Sequence, residues 1–415
     1  MRIHLTIMGL LLTLAATAQQ DNHFTIDAQL RTRGEYNNGA ITPRGDGEKR
    51  TLYVNERARL SLGYERKDLQ MKASVQHTGV WGQDNIKDKK GRVAMNEAWA
   101  KLRFRQHFFA QVGRQQLSYD DERLLGTLDW NVAGNWHDAL RLGYEQDNTK
   151  AHLIFAFNQN DENLRNGAYN VSAMPYKLMQ TVWAHHDFQQ IPLSASLLVM
   201  NIGRKPANDP GANTKYMQTF GTHLTSNPWQ TLDLAASFYV QTGKTFDNKS
   251  IAAWMGSLLA NYGIDPDWKV WVGYDYLSGN DGRNINQHAF DPLYGTHHRF
   301  YGTMDYFTGQ LDCGLQDFHL GASTSFVKPL ALSLDYHCLL TAEPVKDLSH
   351  SLGHELDLQM SMQLLKDVSL SAGYSVMFAT ETMAAVTNKV NCHKKWQDWL
   401  WLSLNVNPRI FSTKF

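Results

Sequence analysis

What most constrains this chain is a two-residue alternation of oily and polar side chains that returns segment after segment, joined by links that are short and long in turn. In the first segment Phe24, Ile26, Ala28 and Leu30 share one face, while Asp27, Gln29, Arg31, Arg33 and Glu35 share the other. Successive side chains of an extended strand point to opposite sides, so the pattern describes strands with one apolar and one polar face. It recurs in Leu52, Val54, Ala58, Leu60 and Leu62 against Asn55, Arg57, Arg59 and Ser61, with Glu56 breaking the apolar side. It returns in Leu232, Leu234, Ala236, Phe238 and Val240, and again in Leu356, Leu358, Met360, Met362 and Leu364.

Eighteen strands follow, over 24–37, 51–66, 70–82, 93–105, 108–116, 138–146, 150–158, 176–188, 193–202, 214–226, 231–243, 250–263, 268–278, 317–327, 330–341, 353–365, 368–380 and 396–407. Tight turns fall near Lys67-Asp68, Gln106-His107, Asp147-Asn148, Asn227-Pro228, Lys328-Pro329 and Lys366-Asp367, and at 189–192 and 265–267. Between them lie the long links, among them 38–50, 117–137, 159–175 and 279–316. A soluble sandwich also alternates, but it has no reason to sort short turns to one rim and long loops to the other. Outer-membrane barrels do so. The expected fold class is all-β: a transmembrane antiparallel β-barrel of about 18 strands with short periplasmic turns and long external loops.

An even count brings both chain ends to the periplasmic rim and lets the first and last strands pair, so no open edge faces lipid. Tyr36, Trp81, Tyr144, Trp229, Trp268 and Trp396 fall near strand ends, where interfacial girdles belong. The stretch 297–307 would make the count odd and is assigned to a loop. Beyond the first twenty residues no apolar run is long enough to cross a bilayer as a helix. The N-terminus reads as an export signal over 1–18, with Arg2, an apolar core from Ile7 to Leu14 and the small residues Ala16-Thr17-Ala18. Residues 19–415 then form a single barrel domain.

Eighteen strands enclose an aqueous channel rather than a packed core. Into it project Arg31, Arg33, Arg57, Arg59, Lys101, Arg103, Arg105 and Arg141 from the first third of the chain, offset by Asp27, Glu35, Glu65, Glu97 and Glu145. Later strands contribute Asp233, Asp275, Asp335, Glu355 and Asp357 against Lys269. The wall therefore has a basic and an acidic arc although 40 basic and 40 acidic residues balance overall. The basic arc favours anionic or hydroxyl-rich solutes; pairing of the charges across strands would merely keep the wall hydrated. The loop at about 117–137 carries Asp120, Asp121, Glu122 and Arg123, too many charges for a lipid-facing turn. It is expected to fold inward and anchor to wall arginines through charge-assisted bonds, leaving a constriction.

At these residues the chain resembles the bacterial alginate-export porin family. The resemblance is carried by Gly113-Arg114-Gln115, Tyr119-Asp120-Asp121-Glu122-Arg123-Leu124, Trp130 and Asp138-Ala139-Leu140-Arg141-Leu142. Asp291-Pro292-Leu293-Tyr294 with His298, Tyr301-Gly302, Asp305-Tyr306-Phe307 and the closing stretch 404–411 add to it. The resemblance implies an eighteen-stranded barrel whose lumen is lined by arginines and passes a negatively charged polyuronate. Arg31, Arg33, Arg57, Arg59, Arg103, Arg123 and Arg141 are the positions that would serve. Every periplasmic turn is short, so no long periplasmic segment plugs the pore, and oligosaccharide uptake or small-anion diffusion fits equally well.

Chemistry of other kinds finds little support. Asp120, Asp121 and Glu122 are adjacent and cannot flank a glycosidic bond from opposite sides. Histidines at 350 and 354, at 185–186 and at 297–298 lack a convincing metal-ligand spacing, and Cys313, Cys338 and Cys392 form no metal motif or disulfide framework, though one pair could close. There is no phosphate-binding glycine loop or nucleophile elbow. Neutral overall charge argues against nucleic acid.

The expectation is a passive outer-membrane channel of a Gram-negative bacterium, without catalytic residues, metal or cofactor. Its partners are membrane lipid, an anionic solute or uronate oligosaccharide, and the barrel-assembly machinery. The competing classes are an outer-membrane barrel enzyme of lipase or protease type, which needs a rim Ser and His pair that nothing singles out, and a non-conducting structural or adhesin barrel.

Overall fold

The computed structural model describes residues 22–83, 93–159, 176–205, 212–283 and 285–415; the export-signal expectation for 1–18 lies outside them. The chain forms β1 (His23–Asn38), β2 (Thr51–Arg66), β3 (Leu69–Val80), β4 (Val93–Phe104), β5 (Phe108–Gln115), β6 (His137–Gln146), β7 (Thr149–Phe157), β8 (Leu178–Phe188), β9 (Leu193–Arg204) and β10 (Lys215–Trp229). There follow β11 (Leu232–Lys244), β12 (Ser250–Gly263), β13 (Trp268–Leu277), β14 (Leu315–Thr324), β15 (Leu330–Leu340), β16 (Ser351–Leu365), β17 (Val368–Ala379), a short helix α1 (Glu381–Val386), β18 (Gln397–Val406) and β19 (Arg409–Lys414).

Each strand is antiparallel to its sequence neighbours, and β1 pairs with β2 on one side and with β18 and β19 on the other, which closes the cylinder. β18 and β19 are one stave in two pieces, giving a barrel of 18. Leu30 to Asn38 pair with β18 and His23 to Asp27 with β19. The break falls at Pro408, which has no N–H for the ladder; its carbonyl instead accepts from the Ala28 N–H at 3.0 Å. Asn22 and Phe415 exchange both backbone hydrogen bonds at 3.0 Å, so the two ends meet at the short-turn rim.

Leu60, Leu102, Phe155, Phe238, Leu258, Leu358 and Leu402 stand exposed on the outer face. Trp81 and Trp396 are exposed at the long-loop rim, Trp229 and Trp268 at the short-turn rim, which makes two aromatic girdles. Glu56, the one acid on the outer face of β2, accepts from Trp81 Nε1 at 2.8 Å. The interruption thus sits beside a girdle residue, where a carboxylate can remain hydrated. The stretch 297–307 holds a single 3₁₀ turn, His297–Arg299, and no strand.

The interior departs from a uniformly watery channel. Toward the short-turn rim the wall is polar, with Ser323, Ser333, Ser361, Ser371, Ser403, Gln359 and Asn405 around a cavity of about 470 Å³. Toward the long-loop rim it is packed, because two links enter the lumen: L3 (116–136) and L7 (278–314). They bring Leu117, Leu124, Leu125, Phe290, Tyr301, Met304 and Phe307 against inward-facing residues such as Met255, Met377, Trp399 and Trp401.

Candidate functional site: the loop-clamped constriction

L3 spans the lumen because opposite walls hold its two halves. On the basic side, Arg31 donates to the carbonyls of Asp129 at 2.7 Å, Asn131 at 3.1 Å and Trp130 at 3.3 Å. Arg33 donates to the Trp130 carbonyl at 3.0 Å, and its guanidinium lies 3.9 Å over the Trp130 ring. Arg57, wholly buried, pairs with the Asp129 carboxylate at 2.9 Å and donates to Gln29 at 3.0 Å. Gln76 Nε2 donates to the Ala133 carbonyl at 2.7 Å. Carbonyl oxygens are strong acceptors, and a planar guanidinium with five donors can hold several at once.

On the far side the donors and acceptors are reversed. Arg123 leaves L3 to meet Asp275 of β13 at 2.8 Å, Ser257 of β12 at 2.7 Å and Tyr301 of L7 at 3.2 Å, with the Phe300 ring 4.0 Å below it. Burial opposes its charge, yet Asp275 and Tyr301 outweigh that cost and hold the guanidinium above its ordinary value. L7 is held by acids: the Met304 N–H donates to Glu355 at 2.7 Å, and the Thr303 hydroxyl to Asp357 at 2.6 Å. Arg204 of β9 adds an ion pair with Asp291 at 2.9 Å. The loops meet at Leu125 and Tyr294, with Gly126 N–H donating to the Tyr294 carbonyl and Tyr294 N–H to that of Leu124, both at 3.0 Å. A Cβ on Gly126 would lie 2.3 Å from Thr296 Oγ1, and one on Gly295 2.2 Å from the Arg123 carbonyl, so the crossing needs both glycines.

Residues 23–394 match the model of a family described as Alginate export. The chain belongs to the alginate-export family. No curated protein matches it in sequence. Among solved structures the chain is similar to Pseudomonas aeruginosa OccK11 (OpdR), at 12% identity and TM-score 0.63, covering 94% of this chain and 96% of that one. It is similar to OpdO of the same organism at 12% identity, TM-score 0.63 and coverage of 94% and 98%. The outer membrane protein OprD matches at 12% identity, TM-score 0.62 and coverage of 93% and 94%. At such identity the likeness is one of fold. Together the family and the closed barrel make this a porin-type outer-membrane channel for solutes.

Not every residue expected on the wall of this alginate-export barrel stands there. Arg31, Arg33, Arg57, Arg59, Lys101, Arg103 and Arg141 lie on inward-facing strand positions. Arg105 does not: β4 ends at Phe104, and Arg105 sits exposed in the following turn with φ of 50°. L3 does anchor to wall arginines, through Asp129, but Asp120, Asp121 and Glu122 take no part in that anchor. Asp120 accepts from Trp183 Nε1 of β8 at 2.9 Å, and burial holds its carboxyl above the usual range. Asp121 pairs within L3 with Arg123 at 2.8 Å. Glu122 accepts from Ser118 and from Thr296 of L7, each at 2.6 Å. Although burial opposes it, these bonds hold the Glu122 carboxyl below its ordinary value. The anchor to the basic arc is instead Asp129 and the carbonyls after it, which carry no side-chain signature apart from that one acid.

Arg59, Arg103 and Arg141 form no ion pair with a carboxylate among the described residues, although Asp129 and Glu97 lie near Arg59 and Glu145 near Arg103. Arg59 donates to Gln76 at 2.6 Å and Arg141 to Gln111 at 2.6 Å. Lys101 lies 3.8 Å from Glu145 and 3.7 Å over the Phe109 ring. That ring lies across Gly143, where a Cβ would come within 2.1 Å of it.

Proposed function

We propose that this barrel passes anionic or sugar-like solutes passively across the outer membrane of a Gram-negative bacterium, with L3 and L7 setting the constriction. The observation that carries this reading is the row Arg59, Arg103 and Arg141 on the lumen face: Arg59 and Arg141 donate to the neutral Gln76 and Gln111, Arg103 forms no ion pair among the described residues, and the neighbouring Arg31, Arg33 and Arg57 are taken up by L3. A guanidinium held only by neutral amides keeps donors and charge available for a passing carboxylate. The serine-rich cavity toward the short-turn rim offers hydroxyls to a sugar, and the two charges on its lining, Arg31 and Asp129, pair with each other at 3.4 Å. Uronate oligosaccharides combine both chemistries. The reading involves no catalytic step and no cofactor; its surroundings are outer-membrane lipid against the apolar belt and the assembly machinery that inserts such barrels.

Reversal potentials across a salt gradient in planar bilayers test it. The native channel should prefer anions, and the combined Arg59→Ala, Arg103→Ala and Arg141→Ala variant should lose most of that preference. An unchanged reversal potential would remove the row from solute selection. Added oligouronates should interrupt the native current more often than neutral oligosaccharides of equal length.

A further inference from the structure

The acidic arc holds a group of side chains that loop anchoring does not use up. Asp275 and Asp317 face each other directly across β13 and β14, and His319 follows on the same face. The donor atoms of these three lie within 4.8 Å of one another, with His319 Nε2 3.9 Å from Asp275 Oδ2. Two carboxylates side by side repel unless a cation lies between them. Arg123 stands 2.8 Å from Asp275 Oδ1, and His337 Nδ1 2.8 Å from Asp317 Oδ2. Asp317 is fully buried, yet its Oδ1 has no hydrogen-bond partner. A buried carboxylate oxygen without a donor is costly. The ring nitrogens of His319 make no hydrogen bond among the described residues, and the ring lies flat across Gly273, its partner in the opposite strand. A Cβ there would come within 2.3 Å of Nε2, so the glycine makes room for the imidazole in this position.

We propose that Asp275, Asp317 and His319 form a binding site for a divalent transition-metal ion on the lumen wall. Two carboxylate oxygens and one imidazole nitrogen are a donor set that suits zinc and its first-row neighbours, whereas magnesium and calcium prefer oxygen alone. Metal–ligand bonds of about 2.0–2.2 Å would draw the donors closer by rotation of the side-chain torsions, without moving the strands. Because Asp275 also holds Arg123, the ion would share a ligand with the L3 clamp, which links metal binding to the constriction.

The test uses the whole barrel, purified in detergent and dialysed against a chelator, titrated with zinc chloride by calorimetry. One saturable site is expected, weakened about tenfold or more in both Asp317→Asn and His319→Ala, with magnesium unable to compete. Folding of each variant is checked by heat-modifiable migration; should Asp317→Asn fail to fold, His319→Gln, which keeps a polar group of similar reach, decides alone. Absence of saturable zinc binding to the native barrel would overturn the site, as would equal affinity in the folded histidine variants.

Discussion

At the scale of single residues, the most exacting position is Arg123, enclosed by Asp275, Asp121, Ser257 and Tyr301. Removing one partner of a buried ion pair leaves the other charge without compensation and costs about 3–5 kcal/mol. Arg123→Met should therefore lower the free energy of unfolding by that order, read by urea titration of the barrel in lipid vesicles. Adding Asp275→Asn should restore part of the loss; a double variant no better than Arg123→Met would mean that the pair is not coupled. Glu122 gives a pH dependence. Its folded value lies below the ordinary 4.5, so its latch to Thr296 is intact at neutral pH and is lost as pH falls through that lower value. Current noise from L3 should rise on acidification below the ordinary carboxylate range, while Glu122→Gln should show the same noise at all pH values. Equal acid sensitivity in both would assign the effect elsewhere.

Among elements, strands were legible and loop attachments were not. Strands write themselves twice, once in the alternation of Phe24 to Glu35 and once in the turns that follow, and in a closed barrel every strand must obey the same rule because lipid wets one face. Boundaries moved by a few residues either way: β14 begins at Leu315 and β10 runs on to Trp229, while Arg105, expected at the end of the fourth strand, adopts φ of 50° and leaves the wall. L3 was legible as an inward candidate from its charges, but the bonds that fix it to the basic arc run through the carbonyls of 129–131, and every residue type has a carbonyl. L7 carries one of its anchors in the same hidden way, through the N–H of Met304. The last stave offers an element-scale prediction. Without β19, the backbone of His23 to Asp27 loses its partners on that side, and unpaired N–H and C=O groups in lipid cost several kcal/mol each. A chain ending at Asn407 should give little or no heat-modifiable folded barrel, whereas Arg409→Ala, which removes only the exposed pair with Asp27, should fold normally; efficient folding of the truncated chain would show that β19 is dispensable for closure.

For the whole molecule, the two charged arcs are halves of one device. The basic arc supplies donors to the carbonyls of L3, and the acidic arc supplies acceptors to Arg123, Thr303 and Met304, so the lumen field that could select solutes is largely spent on holding two loops across it. What remains for solutes is the short row of arginines outside the loop anchors and the serine-lined cavity beside the turns. This division explains how a chain of balanced charge can line a channel with opposing arcs and still avoid a trap for either sign. The most direct measurement is single-channel conductance in planar bilayers of the native barrel against an Arg33→Met, Arg57→Met variant, with the folded state of both checked by migration. Release of L3 from the basic arc should raise conductance by roughly two-fold or more and make the open current noisier; a folded variant with the native conductance and the native noise would show that those arginines do not hold the constriction.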